Sequence, residues 1–162
     1  RQASARRLPP HGSVARPAMS ALGASERGLH SLLAVMGRGN MLPPMEIREL
    51  TAAAGRSAAT MAATAAEVAS MERAAGENPD ARAYLAPTIN AFTAQLNSGV
   101  RQYNEMVTAA AHVVSSVSAD GTAPMSQQRY RSELTDATDR LLGWAQAFEE
   151  LGQGRLSRPA GR

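Results

Sequence analysis

The chain has 162 residues, of which 44% are hydrophobic, 19% charged and 4% aromatic, with no cysteine; all 17 basic residues are arginine, and 33 residues are alanine. That length holds one domain with tails. Six aromatic residues are too few for most sandwiches, barrels or stacking platforms for nucleic acid, and the lack of cysteine excludes a disulfide framework, a thiolate zinc site and a cysteine nucleophile. Abundant alanine with few β-branched residues favours an all-α fold.

Residues 1–17 read as a disordered basic linker, with Pro9-Pro10, Gly12 and Pro17 set among arginines. A first helix is expected from Ala18 to Met36, ended by Gly37 to Asn40. Pro43-Pro44 opens a second, which runs to Ala75 and stops at Gly76. Asn78-Pro79-Asp80 supplies a cap, a first-turn proline and an early acid for a third. It extends to Ser118, and Pro87 either kinks it or marks its true start. Asp120-Gly121 turns the chain into a fourth helix over Met125–Leu151. Residues 152–162 are expected to be a disordered basic tail, so the domain itself covers 18–151.

Apolar and small residues recur at spacings of three and four along both central helices. One stripe is Ile47, Leu50, Ala54, Ser57, Met61, Thr64, Val68, Met71 and Ala75. The other is Leu85, Ile89, Phe92, Leu96, Gly99, Tyr103, Met106, Ala110, Val113 and Val117. This heptad period predicts a long antiparallel coiled-coil hairpin. Its expected layers set Met61 against Gly99, Ser57 against Tyr103, Ala54 against Met106 and Leu50 against Ala110, large facing small. The flanking helices have stripes of their own, so the expected whole is a three- or four-helix bundle. In the last helix Leu141, Trp144 and Phe148 are the strongest candidates for anchoring a partner, since aromatic side chains are enriched at interfaces.

Charge is unevenly distributed. Residues 1–16 carry +4 and residues 155–162 carry +3, both without an acid, while the body between them sums to −4. A basic nucleic-acid face on the folded part is therefore not expected. Arg1, Arg6, Arg7 and Arg16 suit an anionic membrane surface instead. No apolar run reaches the roughly 18–20 residues of a membrane span, so any span is expected to lie outside this chain.

Little in the sequence points to chemistry. Glu26 and His30, and Glu105 and His112, could each share a helix face, but a bundle diiron site needs Glu-x-x-His elements that are absent. There is no Gly-x-Ser-x-Gly elbow, and Gly37-Arg38-Gly39 lacks a phosphate loop's lysine. No enzyme activity, cofactor or metal site is expected.

One stretch is distinctive: Arg6-Arg7-Leu8-Pro9-Pro10-His11-Gly12-Ser13, then Ala15-Arg16-Pro17 and a helix with Glu26, Leu29, Leu32 and Leu33. With Met71-Glu72, Ala74-Ala75-Gly76, Gly99-Val100 and Gln102-Tyr103, it resembles the PspM family of actinobacterial phage-shock envelope-stress proteins. The likeness runs from residue 6 to about residue 114. It implies the C-terminal helical region of a protein whose membrane spans come first, held at the cytoplasmic face of the cell membrane. It also implies a PspA-like coiled-coil protein as partner, and no catalytic residues. Two other classes fit the residues themselves. One is a secreted helical-hairpin effector of WXG type, although Gly143-Trp144 reverses that motif's order. The other is a small helical-bundle metalloprotein. Self-association into a homo-oligomer is compatible with each.

Overall fold

A computed structural model describes residues 7–118 and 124–157. Among them the chain forms four helices and no strand: α1 (Arg16–Arg38), α2 (Pro44–Ala75), α3 (Pro79–Ser118) and α4 (Pro124–Ser157). The expected punctuation is visible in the turns. Asn40 closes α1 with a positive φ of 51°, a left-handed conformation that asparagine tolerates. Gly76, at φ 52°, follows α2 and donates its N–H to the Glu72 carbonyl at 3.1 Å. Asn78 Oδ1 then accepts the N–H groups of Asp80 and Ala81 at 3.0 and 3.2 Å, which satisfies two of the first orphan donors of α3.

Pro87 neither starts α3 nor divides it; it lies inside the helix. A mid-helix proline removes one backbone bond, to the carbonyl four residues earlier. Here Ala83, Ala86 and Pro87 are all exposed, so water can serve that carbonyl.

α2 and α3 are joined by a three-residue turn, run in opposite directions and pack on each other. α1 and α4 each pack against both of them, and there is no contact between α1 and α4 among the described residues. The molecule is thus a central helix pair with one helix docked on either side. One core runs through all four elements, with Leu22, Leu29 and Met36 from α1, Met61 and Val68 from α2, Leu96 and Met106 from α3, and Leu134 and Leu141 from α4 fully buried. The buried hydroxyls need no outside partner. Ser57, Thr64 and Thr138 each donate to the carbonyl four residues earlier, at 2.7–2.9 Å, and Ser116 to that of Val113 at 2.7 Å.

Three expectations need correction. Residues 7–15, expected as linker, fold back onto the bundle: Pro9 and Ala15 are buried. Ser13 Oγ donates to Glu72 at 2.5 Å, and Val14 N–H donates to the same carboxylate at 3.2 Å. The Glu72 carboxylate in the last turn of α2 thus holds the segment through Ser13 and Val14. At the other terminus, α4 continues to Ser157 rather than ending at Leu151. Gly152 and Gly154 weaken a helix by about 1 kcal/mol each but do not by themselves end it. Finally, Gly99 does not serve as the hollow for Met61. The atoms nearest to a Cβ placed there belong to Trp144, so α4 fills that hollow.

Candidate functional site

The three residues expected to anchor a partner hold α4 to its own bundle. Leu141 is fully buried and Trp144 is 8% exposed. The indole occupies the space beside Gly99, where an added Cβ would stand 2.6 Å from Cζ2. Phe148 stacks on Trp144, with ring centroids 5.3 Å apart and planes at 27°, and meets Phe92 of α3 at 6.3 Å. Half-buried Phe148 belongs to the same core. Aromatic anchors suit an interface, and the interface here is internal. Trp144 Nε1 is buried without an acceptor among the described residues, so the indole is held by shape and apolar contact. The lone glycine in the α3 stripe and the lone tryptophan of the chain are the sequence signal for this seat.

Charged pairs rim the α4 contact on both sides. Toward α3, Arg140 meets Glu105 at 3.7 Å, and His112 Nδ1 meets Glu133 at 3.2 Å with its ring 5.5 Å from that of Tyr130. Glu105 and His112, read from their spacing as one face, do line one groove of about 500 Å³. Each pairs across to α4 rather than with the other. Among the described residues no group of three or more histidines and acids stands close enough to hold a metal ion.

Toward α2, Arg131 reaches Glu46 at 3.2 Å, and Arg56 reaches Glu149 at 2.7 Å while Thr60 also donates to that carboxylate. The Arg56 hydrogen bond holds the Glu149 carboxyl below the usual carboxylate range. A carboxyl with a lowered folded-state pKa adds stability at neutral pH that is lost as pH falls through that pKa. The wild type should therefore melt slightly above Glu149→Gln at neutral pH, with the gap closing in acid. A gap that persists below the carboxylate range would refute the assignment to this ion pair.

Of the arginines expected at a membrane surface, Arg1 and Arg6 lie outside the described residues. Arg7 is exposed, whereas Arg16 is half-buried and donates to the Pro9 carbonyl at 2.7 Å. Arg16 thus helps to hold the folded-back segment.

One long face stays uncovered. α2 is packed by α1, α3 and α4, and on its remaining side Ala52, Gly55, Ala59, Ala63, Ala66 and Ser70 are exposed at helical spacing. No atom lies within 4 Å of a Cβ added at Gly55. Gly55→Ala should then stabilise the fold by about 1 kcal/mol, or roughly 2–4 °C in the melting midpoint. A drop in that midpoint would show that the face is not open.

The family model for the Rv2743c family matches residues 1–151. The chain belongs to that family. A Mycobacterium tuberculosis (strain ATCC 25618 / H37Rv) relative named as envelope-preserving system protein Rv2743c is 70% identical over 152 residues, which is 94% of this chain and 56% of the relative. The chain therefore spans little more than half the length of that relative. No solved structure matches it. Among the described residues no helix is long and apolar enough to cross a membrane.

Proposed function

We propose that this chain is the helical adaptor part of an envelope-preserving protein, tethered at the cytoplasmic face of the membrane through segments outside this chain. In this reading it is the PspM-type component of a phage-shock response and catalyses no reaction. It binds a PspA-like coiled-coil partner through helix faces. The observation that carries the reading is the 70% identity, over 94% of the chain, to a protein named for preserving the envelope. With Leu141, Trp144 and Phe148 occupied in the core, the support for a docking face moves to the open side of α2. Its alanines and glycine would allow a second helix to approach closely.

The test is capture of purified PspA-like protein by this chain, compared with Gly55→Leu. The leucine projects from an open position, so it should leave the helical circular dichroism unchanged and reduce capture at least tenfold. Failure of the wild-type chain to capture the partner, with or without lipid, would overturn the reading.

A further inference from the structure

α1 and α4 flank the central pair without contact between them among the described residues. α2 and α3 therefore each keep one open side, and the two sides face away from each other. On the α3 side, the groove of about 500 Å³ runs between α3 and α4. These helices are antiparallel along it, with Gly99, Glu105 and His112 level with Trp144, Arg140 and Glu133. Thr108, Ala109 and Ala137 line its middle, so it is shallowly walled where another helix would come closest.

Charge is sorted along this groove. At one end stand Arg101 and Arg140 with Glu105, and at the other Glu133 and Asp136 with His112. Two arginines against one glutamate leave +1, facing −2 from two acids beside a neutral histidine. Within the chain these charges are only partly used. Arg140 reaches Glu105 at 3.7 Å, with both side chains more than half exposed. Neither Arg101 nor Asp136 makes an ion pair among the described residues.

Such a pattern is complementary to itself. Turning a second copy end for end, about a two-fold axis that crosses α3 at Thr108, lays α4 antiparallel on its counterpart. Arg140 comes level with Asp136 of the partner subunit, and Asp136 with the partner's Arg140. Arg101 then stands at the level of the partner's Glu133. The neighbouring groove between α2 and α4 has no such pattern. Glu46, Glu49, Asp136 and Asp139 line it against Arg131 alone, so two copies would repel there.

We propose that the α3–α4 groove seats a second copy of this chain, in a two-fold antiparallel dimer held by reciprocal Arg140–Asp136 pairs. The open face of α2 then points outward on both subunits, so the dimer displays it twice. The dimer does not depend on the adaptor reading.

Sedimentation velocity of the full chain over a concentration series tests it. The expected result is a monomer–dimer equilibrium that weakens as salt rises. Arg140→Glu and Asp136→Arg should each weaken the dimer by about a hundredfold or more, because either change sets two like-charged pairs across the axis. Both side chains are exposed, so the helical circular dichroism should hold. Mixed in equal amounts, the two variants should dimerise again. In the mixed pair each reversed side chain meets its opposite, and the untouched Arg140 meets the untouched Asp136. The chain has no cysteine, so Thr108→Cys should also crosslink to its copy on mild oxidation. Tyr84→Cys, 85% exposed but remote from the groove, should crosslink at least tenfold more slowly. A single-chain mass at every concentration, a dimer that survives both reversals, a mixture that stays monomeric, or equal crosslinking at the two positions would each overturn the proposal.

Discussion

Gly99→Ala lowers the stability of the bundle by about 1–3 kcal/mol, the usual cost of overfilling a packed core. Alanine is the better helix former, and at an open position such as Gly55 the same change is favourable. At Gly99 the new methyl would sit 2.6–2.9 Å from three ring atoms of Trp144. A rigid indole that is 8% exposed and stacked on Phe148 cannot yield by a rotamer flip, so the steric term outweighs propensity. α4 must move away from α3. Thermal melting followed by circular dichroism measures the loss, and a second background identifies its cause. In Trp144→Phe the ring is smaller, so the cost of Gly99→Ala should shrink by at least half. An equal cost in both backgrounds would show that the helix backbone, and not the indole, objects to the methyl.

Leu141→Ala should cost about 2–5 kcal/mol, the range for deleting a large aliphatic side chain from a full core, and lower the melting midpoint by on the order of ten degrees. Leu141 is fully buried and belongs to the core shared by all four helices. Had it been displayed for a partner, truncation would leave the isolated chain within about 0.5 kcal/mol of wild type. Denaturant unfolding of the chain alone, with no partner present, separates the two roles.

Much of the architecture was legible because local signals and burial agree. Pro44, Asn78 with Pro79, and Gly76 mark helix ends through backbone chemistry that depends on few neighbours. Heptad spacing predicts the buried members of α2 and α3 from Leu50 to Val68 and from Leu96 to Val113. It could not say which neighbour fills a gap. Gly99 looked like a hollow in the seam, but a helix in a bundle has two flanks as well as a front. A residue at the edge of the stripe can therefore face either neighbour. Trp144, Phe148 and Leu141 were readable as anchors, since large apolar residues at helical spacing must be buried against something. Whether that surface is internal depends on where α4 docks, and that is a long-range property. The segment from Arg7 to Ala15 misled for a related reason. Its composition is that of a linker, and what holds it includes Glu72, more than fifty residues away, with the Arg16 hydrogen bond to Pro9 and the burial of Pro9 and Ala15.

The packing around Gly99 has an experimental consequence. Trp144 is the chain's single tryptophan, enclosed between α3 and Phe148 on a helix that makes no contact with α1 among the described residues. Its emission is thus a native gauge of one event, the seating of α4, and is blind to direct changes in α1. Circular dichroism sums all four helices. If a partner, a lipid surface or heat lifts α4 before the rest, the fluorescence will move while the helix signal holds. If the bundle opens as one unit, the two curves will coincide.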